Sequence, residues 1–251
     1  MLELSAEAMQ HGICALVGAG LDPGLTNIMA AQASAHVEGT DVINVALLFS
    51  LGDAFGEGAI DYILEALANP TIVEYQGRRQ ELYAYRERRS CDFPFPFGPR
   101  LAYRIPFPEQ VFFPETLQTK QAANWYVMNS SAINVFLAVA VRLGLTRLLR
   151  HAAVRAAARW FFQLLSRLPG GKDDVCALAE AQGSGGTWRV SLTSRQESKT
   201  TALCALPMIQ ALYEGRLAQP GVWLPEQVTN PTAYLQTLSD LGLEVQIFSK
   251  E

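Results

Sequence analysis

Gly18, Gly20 and Gly24 stand between an apolar run at 13–17 (ICALV) and a helical pattern that begins near Leu25. A strand, a glycine turn and a helix in that order can cradle a dinucleotide pyrophosphate. The neighbouring residues oppose this use. Pro23 has no N–H to give a phosphate, and Asp22 would set a carboxylate beside one. The acid that should follow about 20 residues on, at the end of a second strand, is missing, because Glu38 and Asp41 precede the strand that starts at Val42. The glycines still let backbone approach a ligand closely, so Gly20, Asp22, Pro23, Gly24 and Asn27 form the first candidate site. Asp22 reads as a helix cap with Pro23 in the first turn. Asn27 reads either as a turn stabiliser or as a ligand donor.

Other chemistry is thinly supported. A carboxylate-bearing ligand wants a bidentate arginine, which Arg78, Arg79, Arg86, Arg88, Arg89, Arg100 or Arg104 could supply, Arg78 first among them. Thr200 and Thr201 open a helix and could meet an anion there, although capping alone accounts for them. His11, His36 and His151 make no HExxH, and there is neither a GxSxG elbow nor a Walker lysine loop. Cys14, Cys91, Cys176 and Cys204 have no zinc or dithiol spacing. They read as small buried hydrophobes of a reducing compartment, so no metal is expected.

These residues need positioning elements. Residues 42–49 (VINVALLF) have the β-branched, apolar character of a central strand. Ile60, Ile63, Leu64 and Leu67 make one helical stripe that Asn69-Pro70 ends. Segments 71–75 and 81–85 flank Gln76-Gly77-Arg78-Arg79 as a hairpin. In 92–108 (DFPFPFGPRLAYRIPFP) prolines alternate with aromatics, which predicts a stiff extended crossover whose Phe93, Phe95, Phe97 and Phe107 plug the core. Gly183-Ser184-Gly185-Gly186 turns into a strand at 188–193, 200–214 is helical, and Asn230-Pro231 opens a last helix before a strand at 243–248. Strands that meet without intervening helices predict an α+β fold: a mixed, largely antiparallel sheet with helices packed on one face and no complete Rossmann domain.

The stretch 18–27, GAGLDPGLTN, resembles the G-x-G-x-DPG-x-[ST]-N segment of the saccharopine dehydrogenase-like family of NAD(P)-dependent oxidoreductases. Looser matches follow in order: GAID at 58–61, VEYQGRR at 73–79, TTALCALPMIQALYEG at 200–215 and GVWLPEQV at 221–228. The resemblance covers nearly the whole of 1–251, but only the family's C-terminal substrate-binding and dimerisation domain. It implies a homodimer, a small amino-acid-like substrate and hydride transfer at a carbon–nitrogen bond. The NAD(P) of the full-length context would be held by an N-terminal Rossmann domain that has no counterpart here. No cofactor is therefore expected on this chain alone, nor activity without that domain.

Composition limits the alternatives. The 251 residues hold 20 basic and 24 acidic side chains, a net charge of −4, with 49% hydrophobic and 18% charged residues. That excludes disorder and a general polyanion binder such as a nucleic-acid protein. The apolar run 132–141 is shorter than the roughly 20 residues of a membrane span, and the first residues do not pattern as a secretory signal, so a cytoplasmic location is expected. Residues 116–172 hold Lys120, Arg142, Arg147, Arg150, Arg155, Arg159, Arg167 and Lys172 and no acid. This tract reads as an ordinary solvated helical face. The alternative function is a non-catalytic interaction module that turns the Arg142 to Arg167 face toward membranes or acidic partners.

Overall fold

The computed structural model describes residues 2–50, 56–75, 78–166 and 173–250. The chain begins with α1 (Ser5–Gln10), β1 (Cys14–Leu16), α2 (Leu25–Ser34), β2 (Thr40–Phe49) and α3 (Glu57–Ala68). Two hairpins follow, β3 (Thr71–Tyr75) with β4 (Arg78–Leu82) and β5 (Arg88–Phe93) with β6 (Gly98–Ile105). Then come α4 (Glu109–Thr116), β7 (Gln121–Met128), α5 (Ser131–Arg142), a 3-10 turn at Leu145–Arg150 and α6 (Ala152–Ser166). The rest is β8 (Asp174–Gly183), β9 (Gly186–Arg195), α7 (Glu197–Tyr213), β10 (Gly221–Trp223), α8 (Pro225–Val228), α9 (Pro231–Asp240) and β11 (Glu244–Lys250).

Seven of these strands form one sheet in the order β11-β9-β8-β2-β7-β6-β5. Its pairings are antiparallel except β2 with β7. β2 is central because both of its faces are apolar: Ile43, Val45 and Leu47 bury on one side, Ala46 and Leu48 on the other. The fold is α+β, as composition and pattern imply, and no Rossmann unit occurs among the described residues.

Helices cover one face. α2 lies at its centre, with Leu25, Ile28 and Met29 fully buried, and is joined by Cys204 and Met208 of α7, Leu235 and Leu238 of α9, and Phe113 of α4. Burying each of the larger side chains contributes roughly 2 kcal/mol. The opposite face curls on itself. Arg89 of β5 bridges to Glu180 of β8, four positions away in the sheet order, so the sheet wraps around a second core of Leu48, Phe93, Phe97, Trp125 and Leu178.

Three sequence expectations change. The proline-rich segment is a hairpin rather than a crossover, and β6 is an inner strand, because Pro94 and Pro96 fall in its turn, Pro106 and Pro108 lie beyond its end, and Pro99 lies at the start of β6, before the stretch 103–105 that pairs with β7. Phe93 and Phe97 do plug the inner core, but Phe95, at the turn, is 91% exposed. The strand expected at 13–17 shortens to β1 and pairs with β10 outside the main sheet, half-buried. In the first hairpin, Tyr75 pairs with Arg78, so β4 starts earlier than 81 and Gln76 and Gly77 lie outside the described residues.

Candidate functional site

The 18–24 loop forms one wall of a cavity of about 410 Å³. Gly18, Gly20, Asp22 and Pro23 line it, opposite Tyr62 and Ala59 of α3 and beside Thr201 of α7. Phe49 and Tyr126, near the C-terminal ends of the parallel pair β2 and β7, and Phe107 complete an aromatic wall. Their rings pack closely: Phe107 to Tyr126 is 5.1 Å, Tyr62 to Phe107 4.7 Å and Phe49 to Tyr126 5.4 Å between centroids. Such a crevice beyond the carboxyl ends of parallel strands is a common place for a ligand.

Loop geometry is set by its own backbone. Gly24 has φ 139°, and a Cβ there would lie 2.2 Å from the Gly20 carbonyl oxygen, so only glycine closes the loop. Gly20 N–H donates to the Pro23 carbonyl (3.0 Å), Leu25 N–H to the Gly20 carbonyl (2.9 Å) and Gly24 N–H to Asn27 Oδ1 (2.9 Å). These amides point inward to the loop, Pro23 has none, and Asp22 adds a carboxyl. Pro23 and Asp22 thus disfavour a pyrophosphate at this end of the loop.

Two carboxyls meet behind the loop. Glu109, the first residue of α4, is fully buried, and Asp22 lies within hydrogen-bonding reach of it. Thr26 Oγ1 lies 3.1 Å from Asp22 Oδ1 and 3.0 Å from Glu109 Oε1, and Tyr126 donates a short hydrogen bond to Asp22 Oδ2. One threonine hydroxyl carries one proton, so it satisfies one ionised carboxylate and not two. Burial raises both acids above their ordinary values. For Glu109 the neighbouring Asp22 charge adds to burial and the shift is larger, whereas hydrogen bonds from Glu109, Tyr126 and Thr26 favour the Asp22 anion. Of the two, Glu109 holds a proton more readily, and Asp22 is the acid that lines the cavity. Burial and these acids together push the Tyr62 phenol up to about 12, so it remains a neutral donor, to the Pro106 carbonyl at 3.1 Å.

Of the residues singled out in the sequence, Gly20, Asp22 and Pro23 line the cavity, while Gly24 and Asn27 hold its wall. Asp22 is not the N-cap of α2, since the helix begins at Leu25 after Gly24. Asn27 resolves as a turn stabiliser. Its amide donates to Glu226 Oε2 at 2.8 Å, and Glu226 Oε1 accepts from Thr116 at 2.8 Å, so the amide is occupied and buried. Thr201 reaches the cavity, whereas Thr200 donates to the Gln196 carbonyl at 2.9 Å; neither opens or caps α7, which begins at Glu197. The side chain of Arg78 lies outside the described residues. Arg79, Arg86, Arg88, Arg89, Arg100 and Arg104 do not line the cavity; Arg89 pairs with Glu180, and Arg104 with Glu87 and Gln110.

Sequence reasoning missed Glu109, Tyr126, Tyr62 and Phe107. Glu109 was visible only as a lone acid among the prolines and phenylalanines of PFPEQVFFP, and Tyr126 as a hydroxyl inside an otherwise apolar strand. Both are buried polar groups that need partners.

The cysteines behave as small hydrophobes: all are free, and Cys91, Cys176 and Cys204 are buried, with thiols pushed up to about 11, 12 and 12. No group of metal-ligating side chains occurs among the described residues, and none of their helices is long and apolar enough to cross a membrane. No protein-family model matches the chain, and no curated protein matches it.

Proposed function

We propose that the chain is the substrate-binding part of a saccharopine dehydrogenase-like oxidoreductase, and that the Asp22 cavity receives the amine-bearing end of an amino-acid-like substrate. One observation carries this reading. Four of the five segments that resemble the family meet at one place, VEYQGRR excepted: the 18–24 loop, Ala59 of GAID and Thr201 of the 200–215 segment line the cavity, and Glu226 of GVWLPEQV braces Asn27 behind it.

The chemistry of the walls refines the substrate end. The expectation of a carboxylate clamped by arginine finds no arginine among the described lining residues. An acid and an aromatic wall suit the opposite charge. A substrate ammonium or secondary amine gains an ion pair with Asp22 and cation–π contact with Tyr62, Phe107 and Tyr126. Glu109, neutral beside it, can return a proton to Asp22 through direct contact or through Thr26 when the amine changes charge. Nicotinamide chemistry, in this reading, belongs to a cofactor held by another folding unit, since Pro23 has no N–H to give a pyrophosphate and Asp22 sets a carboxyl beside it.

Calorimetry with L-lysine, spermidine and glutarate tests this. The amines bind and glutarate does not, Asp22→Asn lowers amine affinity at least about tenfold, the equivalent of 1.4 kcal/mol, and NAD(P) shows no micromolar binding. A preference for glutarate, or micromolar NAD(P) binding, contradicts the reading.

A further inference from the structure

Helix α6 is amphipathic the wrong way round. Its half-buried side carries Arg155 and Arg159, which bridge to Glu65 (3.0 Å) and Asp61 (2.6 Å) of α3. Its outward side, from Ala153 through Val154, Ala156, Ala157, Trp160 and Phe161 to Leu164, carries no charge. Trp160 is 64% exposed and Phe161 52%. The solvated basic face expected for this helix is thus replaced by an apolar one, with Arg167 outside the described residues. α5 repeats the pattern through Val135, Phe136 and Val139, and Leu143 and Leu148 continue it along the 3-10 turn. Exposed large apolar side chains at this density mark a binding surface.

Charge says what covers it. Arg142 and Arg147 stand among these residues and make no ion pair with the described ones. With Arg86 and Arg150 they line a cleft of about 450 Å³ whose carboxylate among the described lining residues is Glu81 alone. Arg150 Nε donates to the Ala68 carbonyl at 3.3 Å, and Arg86 stacks 3.9 Å over Tyr83. A second copy seated on this face would set the four arginines of the cleft against four more with Glu81 the one carboxylate among the described lining residues to answer them, because a two-fold interface opposes a patch to itself. A nucleic acid offers phosphates but no apolar phase for Trp160, Phe161 and Phe136. A phospholipid surface offers both.

We propose that the α5–α6 face docks peripherally on anionic phospholipid, with Phe136, Trp160 and Phe161 at the boundary of headgroups and acyl chains and Arg142 and Arg147 on lipid phosphates. This surface is separate from the Asp22 cavity, so either proposal stands without the other. The homodimer that the family resemblance implies would need a different surface.

Flotation of the 251-residue chain with phosphatidylcholine vesicles, with and without roughly 30% phosphatidylglycerol, tests the proposal. The chain floats with the anionic vesicles and not with phosphatidylcholine alone, and Trp160 emission shifts to the blue on binding. Binding weakens as salt rises from about 50 to 500 mM. Trp160→Ser with Phe161→Ser, and separately Arg142→Gln with Arg147→Gln, each lower the bound fraction at least about tenfold. Circular dichroism of both variants stays unchanged, because all four side chains face outward. The proposal is overturned if the chain fails to float with anionic vesicles at low salt, or if neither pair of substitutions reduces binding. Equal binding to both vesicle types, loss of binding to soluble glycerol phosphate, or a self-association that the Trp160/Phe161 variant abolishes without vesicle binding also overturns it.

Discussion

Tyr126 of β7 hydrogen-bonds through its phenol to Asp22, 104 residues earlier in the chain, and so ties the sheet to the 18–24 loop at the cavity floor. The partner is a buried carboxyl whose anion depends on this donor and on Thr26. Tyr126→Phe should therefore destabilise the chain by about 1.5–3 kcal/mol at pH 7, as expected for a lost bond to a charged buried group. Urea unfolding checks this, and the difference should shrink as pH falls and Asp22 takes up a proton.

Stability should fall as pH rises. Asp22 and Glu109 sit above ordinary values of 3.8 and 4.5, so their contribution is complete below those values and is lost as pH climbs through the raised folded ones. Glu109→Gln keeps an acceptor for Thr26 and removes the larger shift. Thermal melts of this variant should decline less between pH 4 and pH 8. Each pKa unit removed is about 1.4 kcal/mol, or roughly 3–6 °C in Tm for a chain of this size.

Gly20 and Gly24 of the loop should behave differently. Gly24→Ala puts a Cβ 2.2 Å from the Gly20 carbonyl oxygen at φ 139°, and should cost about 3 kcal/mol or more or prevent folding. Gly20→Ala meets the Thr201 methyl at 3.2 Å, a side chain that can turn away, and should cost less than about 1 kcal/mol. Expression yield and denaturant midpoints distinguish the two.

Ion pairs inside and outside the curled sheet should contrast as well. Glu180 and Arg189 are 7% and 8% exposed and 2.6 Å apart, so Glu180→Leu leaves the buried guanidinium with only the longer 3.4 Å pair to Asp92 and should cost about 3 kcal/mol, part of which Glu180→Leu with Arg189→Met recovers, Arg89 still lacking its partner. Asp61 and Arg159 are 40% and 35% exposed, and Asp61→Asn should cost about 1 kcal/mol or less. A double-mutant cycle measures each pair.

Much of the fold was legible because its signals are local. The β-branched run at 42–49 is the central strand β2, the Ile60 to Leu67 stripe is α3, and Asn230 caps α9 by accepting from the Ala233 amide at 3.0 Å. The proline-rich segment misled because proline forbids ladder positions only where it falls: Pro94 and Pro96 fall in a turn, and Pro99 falls where β6 has β5 on one side and not yet β7 on the other. The loop's importance was visible in its glycines, but not its chemistry. Glu109 and Tyr126 reach Asp22 through tertiary packing of α4 and β7, which no spacing in the sequence encodes. The same holds for α6, whose periodicity gives an arginine side and an apolar side without saying that Asp61 and Glu65 would draw the arginines inward.

Carboxyl carbon NMR of Asp22 and Glu109, assigned with Asp22→Asn and Glu109→Gln and followed from pH 3 to 9 with and without L-lysine, tests the cavity most directly. The prediction is a coupled titration in which Glu109 is still protonated at neutral pH, Asp22 is ionised, and the Asp22 signal moves on adding lysine. Two carboxyls that both ionise by about pH 5, or an Asp22 signal that saturating lysine leaves in place, would contradict it.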